Sequence, residues 1–274
     1  MRFVAPARDA VDPGAFARPP LSQWSEFADL LRDDWPSAAQ LNVRLRDASI
    51  RFVAQTPELL ADGLHYEQRI FERAEIATRE RNWHDLLNAL VWLRYPQIKR
   101  ALNARQAAEI AKAGPKQRTR AQCALTHFDE AGVVVVVRDA ALLALWDAHD
   151  WHGLFRRERG AWSDGRIEAA VFGHALLEHA LVPAQMLTGK ALAVLMQQNI
   201  NVEDATNAVA VAIARSEVLN DPQELRPLPL SGIPGWHMDN DDGDFYRTAA
   251  CFQPLRAGRS YPKPLRFASP HLMR

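Results

Sequence analysis

The stretch that most constrains this chain is residues 82–103, NWHDLLNALVWLRYPQIKRALN. Its pattern predicts a helix up to Tyr95, a break at Pro96 and a second helix beyond. At about 100° per residue, Trp83, Leu86, Leu87, Ala89, Leu90, Val91 and Leu93 cover most of the first helix's circumference. His84, Asp85, Asn88, Trp92 and Tyr95 share one narrow sector. A helix apolar on most sides belongs in a protein interior. Its few polar groups must find partners there or line a cleft. That marks a place for a site without naming a reaction.

At 274 residues the chain can bury one large core or two modest ones. No low-complexity linker, repeat or sharp composition shift divides it. The expectation is a single globular domain over 21–255, with an irregular, proline-rich arm at 1–20 and an irregular tail at 256–274. Formal net charge is zero, so no global field favours nucleic acid or an anionic membrane. Two distant cysteines, Cys123 and Cys251, exclude a disulfide scaffold and a cysteine-rich zinc module, and suit a reducing compartment. No apolar leader or membrane-length run is present, so a cytoplasmic protein without a membrane partner is expected. Oligomeric state is left open.

Along the rest of the chain, residues 22–31 repeat apolar side chains at helical spacing behind Ser22. Residues 50–55 and 66–72 read as extended, the second by its alternation. An alanine-rich helix at 97–113 stops at Gly114-Pro115. Residues 124–128 and 133–137, around Asp129-Glu130-Ala131-Gly132, give a β-hairpin pattern. The five valines at 133–137 suggest a strand covered on both faces. Asp139 caps a following helix, 166–181 reads as another, 190–196 as a buried strand and 202–219 as a helix behind Asn201 or Asp204. The fold class expected is α+β, helix-dominated, with a small antiparallel sheet.

Four groupings could carry chemistry. His84 and Asn88, one helical turn apart beside Asp85, could supply a base, an orienting carboxylate and a substrate amide. A buried polar network would look the same. His174 and Glu178 stand at i and i+4 in VFGHALLEHAL, a spacing that can put both on one metal. Two ligands are too few, and His84, Asp85, Asp129 or Glu130 would have to converge on them. His179 points elsewhere. Asp129 and Glu130 read as solvated turn residues. Between Arg94 and Arg120, eight basic side chains face Glu109 alone, with Lys116, Arg118 and Arg120 in the Gly-Pro loop. Such a run attracts a phosphate, a carboxylate or a nucleic-acid backbone. The aromatic interleaving of single-strand binders is missing, which makes nucleic acid the weaker choice. Thr188-Gly189-Lys190 lacks the upstream glycine of a phosphate loop, and residues 239–244 fail the EF-hand spacing.

YEQRIFE at 66–72, NWHDLLNALVWLRYP at 82–96, LTHFDEAG at 125–132, VFGHALLE at 171–178, LTGKAL at 187–192 and LPLSGIPGW at 228–236 form one series. It resembles the bacterial family catalogued as domain of unknown function 3025, over roughly residues 60–255. In that family's pattern an Asp tends to stand near the position of Cys123, and a second Trp follows Trp236 where this chain has His237. The resemblance implies a cytoplasmic bacterial protein and a shared constellation, with no established activity.

The site expected comprises His84, Asp85, His174 and Glu178 as catalytic residues, with His84 as acid or base. Asn88, Lys99, Arg118 and Arg120 would bind an anionic substrate. The function that best suits this set is a hydrolase of a phosphorylated or carboxylated small molecule, with metal and cofactor unassigned. The alternative is a non-catalytic protein that binds nucleic acid or an acidic partner on the 94–120 surface. A third, purely structural reading has every polar group satisfied by backbone.

Overall fold

A computed structural model describes residues 3–114, 117–183, 185–196 and 201–266. The valine run sets its centre. Strand β3 (Gly132–Val137) is buried at every position, each valine contributing on the order of 1.5–2 kcal/mol. A strand needs cover on both faces to be that apolar, and a mixed sheet with helices around it supplies this. Strands β1 (Arg51–Ala54) and β2 (Glu75–Thr78) form a separate parallel pair. The larger sheet runs β4 (Ile167–Val171), β3, β5 (Thr188–Leu195) and β6 (Arg226–Pro229), with β7 (Leu265–Arg266) also on β5. The β3–β4 and β5–β6 pairs are antiparallel, while β3–β5 and β5–β7 are parallel. The architecture is α+β and helix-dominated, as expected, but the sheet is mixed.

Three local expectations are corrected. The 124–137 hairpin does not form. Residues 120–131 are a helix (Arg120–Ala131) held by a capping box, with the Thr119 and Gln122 side chains each serving the other's backbone. It runs straight into β3, so Asp129 and Glu130 occupy its last turn. The strand opposite β3 comes from 166–181 instead, where Ile167–Val171 pairs and only His174–His179 is helical. Residues 66–72 lie in a helix, Tyr66–Arg73, capped by the His65 side chain. Its Arg69, 2% exposed, pairs with Asp62 and Glu75 and donates to the Leu59 carbonyl.

The central helix, Trp83–Arg94, forms as its pattern dictates. Asn82 caps it by accepting from the Asp85 amide at 3.0 Å. Tyr95 ends it, and Pro96 takes the first position of the next helix, Pro96–Ala113, where its missing N–H costs nothing. Nine of the twelve residues of the central helix are buried. The described part of the amino-terminal arm coils in short 3-10 turns that bury Val11, Ala15 and Phe16, and the Pro6 carbonyl accepts from the Trp83 indole. Residues 256–266 carry no helix, and Lys116 and residues 267–274 lie outside the described residues. No described helix is long and apolar enough to cross a membrane.

Candidate functional site

Three helices meet at the site. The central helix brings His84 and Asn88, the last turn of Arg120–Ala131 brings Asp129 and Glu130, and His174–His179 brings His174 and Glu178. A close backbone crossing fixes the last two. The Phe172 and Gly173 amides both donate to the Gly132 carbonyl, at 3.1 and 3.0 Å. A Cβ on Gly173 would lie 2.3 Å from the Gly132 nitrogen and 2.5 Å from Ala131 backbone, so only glycine permits the approach.

His84 and His174, 90 residues apart in sequence, face each other edge-on with their Nε2 atoms 3.1 Å apart. Glu130 Oε2 lies 3.4 Å from His174 Nε2 and 3.9 Å from His84 Nε2. On the far side of His84, Nδ1 meets Glu178 Oε2 at 2.9 Å. His174 Nδ1 is buried and makes no well-formed hydrogen bond. Asp129 lies beside it, with Oδ2 4.0 Å away. His84, His174, Asp129 and Glu130 line the floor of a cavity of about 300 Å³ whose walls include Tyr66, Glu67, Arg79, Asn88, Gln122 and Arg118, while Glu178 backs His84 from outside that lining.

The electrostatics follow from these contacts. The hydrogen bond that His84 Nδ1 donates to the Glu178 carboxylate raises the His84 pKa above its ordinary value, against the opposing effect of burial. Burial drives the His174 imidazole down to about 3, so it is neutral near pH 7. Burial likewise raises Glu130. Asp129 feels burial pushing upward, yet the Lys99 ammonium outweighs it and holds the carboxyl below its usual range. Glu67, in the cavity wall, is pushed up to about 7 by desolvation and by Asp129.

The structure thus brings His84, His174, Glu178, Asn88 and Arg118 to one place. Asp85 also lines the cavity, but its carboxylate is engaged by Arg79 and by no imidazole hydrogen bond. It receives Arg79 through the guanidinium, at 2.7 and 3.1 Å, and through the backbone amide at 2.6 Å, so it is a structural anchor. Lys99 does not reach the cavity, being 5% exposed and tied to Asp129 at 2.6 Å. Arg120 lies outside, paired with Asp221. Most of the basic run is committed in the same way: Arg100 to Asp47, Arg105 to the Val218 carbonyl and Asn220, and Arg94 to the Gln23 carbonyl.

Asn88 gives its amide nitrogen to the Tyr66 hydroxyl at 3.0 Å, and its Oδ1 is buried without a partner. Glu130 and Asp129, read from the sequence as turn residues, are part of the site. The Thr119-x-x-Gln122 capping box was the signal that could have placed them on a helix. His84, His174 and Glu130 each offer one ligand atom within 4.8 Å of the others, a set able to hold a metal ion.

No curated protein and no solved structure matches this chain. Residues 50–256 match the family described as "Protein of unknown function (DUF3025)". That span includes every residue of the cavity floor and most of the chain, and on this basis the protein belongs to the DUF3025 family.

Proposed function

We propose that the chain is a hydrolase acting in this cavity on a small molecule that carries a phosphoryl or carboxyl group. The observation that carries the reading is the meeting of His84 and His174, from distant helices, at the floor of a 300 Å³ cavity beside Glu130. Buried imidazoles and carboxylates with opposed pKa shifts concentrate where proton transfer is needed. In this reading water is activated at the Nε2–Glu130 floor. Glu178 holds the His84 ring from behind, and Asp129 lies beside the buried Nδ1 of His174. Asn88, with an unpartnered Oδ1, contacts the reacting group, and the exposed guanidinium of Arg118 meets the anionic end at the rim.

Lys99 and Arg120 drop out of the substrate-binding set because their charges are already used. Asp85 becomes a positioning residue through Arg79.

The test is release of product from a panel of phosphate monoesters and carboxylate-bearing esters and amides. His84→Ala should lower turnover at least about 100-fold, whereas Arg118→Ala should raise KM more than it lowers kcat. Hydrolysis that survives His84→Ala undiminished, or a panel with no turnover at all, overturns the reading.

A further inference from the structure

We infer that His84 Nε2, His174 Nε2 and the Glu130 carboxylate form a binding site for one divalent transition-metal ion of the zinc class, open toward the cavity. The inference rests on the reading of this cavity as a working site and supplies what would activate its water.

Distances come first. A zinc ion binds imidazole nitrogen and carboxylate oxygen at about 2.0–2.2 Å, so two ligand atoms at a tetrahedral angle stand about 3.3–3.4 Å apart. The three separations here are 3.1, 3.4 and 3.9 Å. The atoms therefore already sit near the corners of one face of a coordination tetrahedron.

Orientation comes second. His84 turns its Nδ1 outward onto Glu178 at 2.9 Å, an outer carboxylate that selects the tautomer with hydrogen on Nδ1 and leaves the Nε2 lone pair pointing inward. His174 Nδ1 is buried on the Asp129 side, with Oδ2 4.0 Å away, and its Nε2 faces that of His84. Two imidazole nitrogens and a carboxylate oxygen this close call for a cation or a shared proton among them. Asp129 is itself anchored by Lys99 at 2.6 Å, so the ring behind it has a fixed backing.

The surroundings agree. His174 is 5% exposed while His84 and Glu130 are 32% and 40% exposed, so the set is enclosed on one side and open on the other. Three protein ligands with a free fourth direction describe a catalytic zinc site, not a closed structural one. Two imidazoles and one carboxylate favour zinc, cobalt or nickel over magnesium and calcium, which take oxygen ligands. An ion there would lower the pKa of its bound water and release the proton to the open cavity.

The competing account of the same geometry is one proton shared between the two imidazoles, and titration with metal separates the two. The purified protein, freed of metal with a chelator, is titrated with Zn²⁺ by calorimetry and with Co²⁺ by visible absorption. One ion per chain is expected, with the intense d–d bands of a low-coordinate cobalt site and no displacement by Mg²⁺ or Ca²⁺. His84→Ala and His174→Ala should each weaken binding at least about 100-fold, and Glu178→Gln about tenfold or more through the lost outer carboxylate. Circular dichroism checks each variant's fold. Should buried His174 prove essential for folding, the more exposed His84→Ala and Glu130→Gln carry the test. Absence of stoichiometric Zn²⁺ and Co²⁺ binding overturns the inference, as does binding unchanged in His84→Ala or Glu130→Gln. A chain that binds one zinc through these residues but hydrolyses nothing keeps the site and loses the hydrolase. A hydrolase that works without any metal does the reverse.

Discussion

Glu178 hydrogen-bonds His84 across the helix interface at 2.9 Å, and not His174 four residues before it on its own helix. One short helix therefore supplies one imidazole and the carboxylate that orients the other. Glu178→Gln keeps an oxygen acceptor and removes the charge. In metal-free protein the His84 pKa should fall, because burial then acts unopposed by that anion. The stabilisation from the charged pair is complete below the ordinary histidine pKa, near 6.5, and is lost as pH rises through the raised folded value. The stability gap between wild type and variant should thus be widest in acid and close toward alkaline pH. NMR titration of the His84 ring, with denaturant melts across that range, reads both. An unchanged His84 titration would show that Glu178 is not the cause.

Glu67 makes the second pH prediction. Its folded pKa is about 7 against an unfolded value near 4.5, so between those values the folded chain holds more protons. Stability from this group is present below pH 4.5 and is lost as pH rises through 7, by about 3 kcal/mol in all. Glu67→Gln, which can still accept from Asn103, should stabilise the protein at pH 8 and leave it nearly unchanged at pH 4.5. Urea melts at the two values decide it, and equal effects at both would refute the assignment.

Lys99 and Arg120 belong to the same basic run and should behave oppositely. Lys99→Met leaves the Asp129 carboxylate enclosed without its partner and should cost about 3–5 kcal/mol. Arg120→Ala removes an exposed pair with Asp221 and should leave both the unfolding midpoint and any metal binding where they were. Thermal melts of the two variants side by side are enough. A large loss of stability in Arg120→Ala would instead show that its pair with Asp221 holds the fold.

Gly173→Ala tests the backbone crossing. A methyl there would sit 2.3–2.5 Å from backbone atoms of Ala131 and Gly132, so the helix ends must separate, at a cost of about 3 kcal/mol. Gly160, whose added Cβ would meet nothing within 4 Å, is the control, and its alanine variant should be neutral or slightly stabilising. Zinc affinity measured on folded Gly173→Ala should drop as well, since Glu130 and His174 move apart.

Legibility in the sequence follows the range of the interactions that decide each segment. The central helix, its Asn82 cap, the Asp139 cap and the buried valine strand were readable because local pattern and tertiary position agree. The 66–72 segment misled because its alternation of Glu67 and Arg69 with Gln68 and Ile70 mimics a strand. Its helix is held by contacts to Leu59, Asp62 and Glu75, which no short window contains. The 166–181 segment misled similarly, since Ile167–Val171 extends only because β3 is there to pair with it. Of the site, His84, Asn88, His174 and Glu178 were visible as polar residues on apolar helices. Asp129 and Glu130 were hidden by a turn-like composition, Asp-Glu-Ala-Gly, that in fact ends a helix. Charge counting overrated Lys99 and Arg120 because it cannot see their partners.

The crossing at Gly132 and Gly173 has one more consequence. Glu130 stands just before the first residue of β3, and His174 just past the end of β4, whose Val171 lies opposite Val133. Their spacing is therefore set by how the two strands are registered, and a one-residue slip would turn every neighbouring side chain to the wrong face. This wall of the cavity cannot loosen without unzipping the edge strand β4 from β3. Any give needed to admit a substrate must come from the opposite wall, where Tyr66 and Glu67 ride on a two-turn helix that belongs to neither strand.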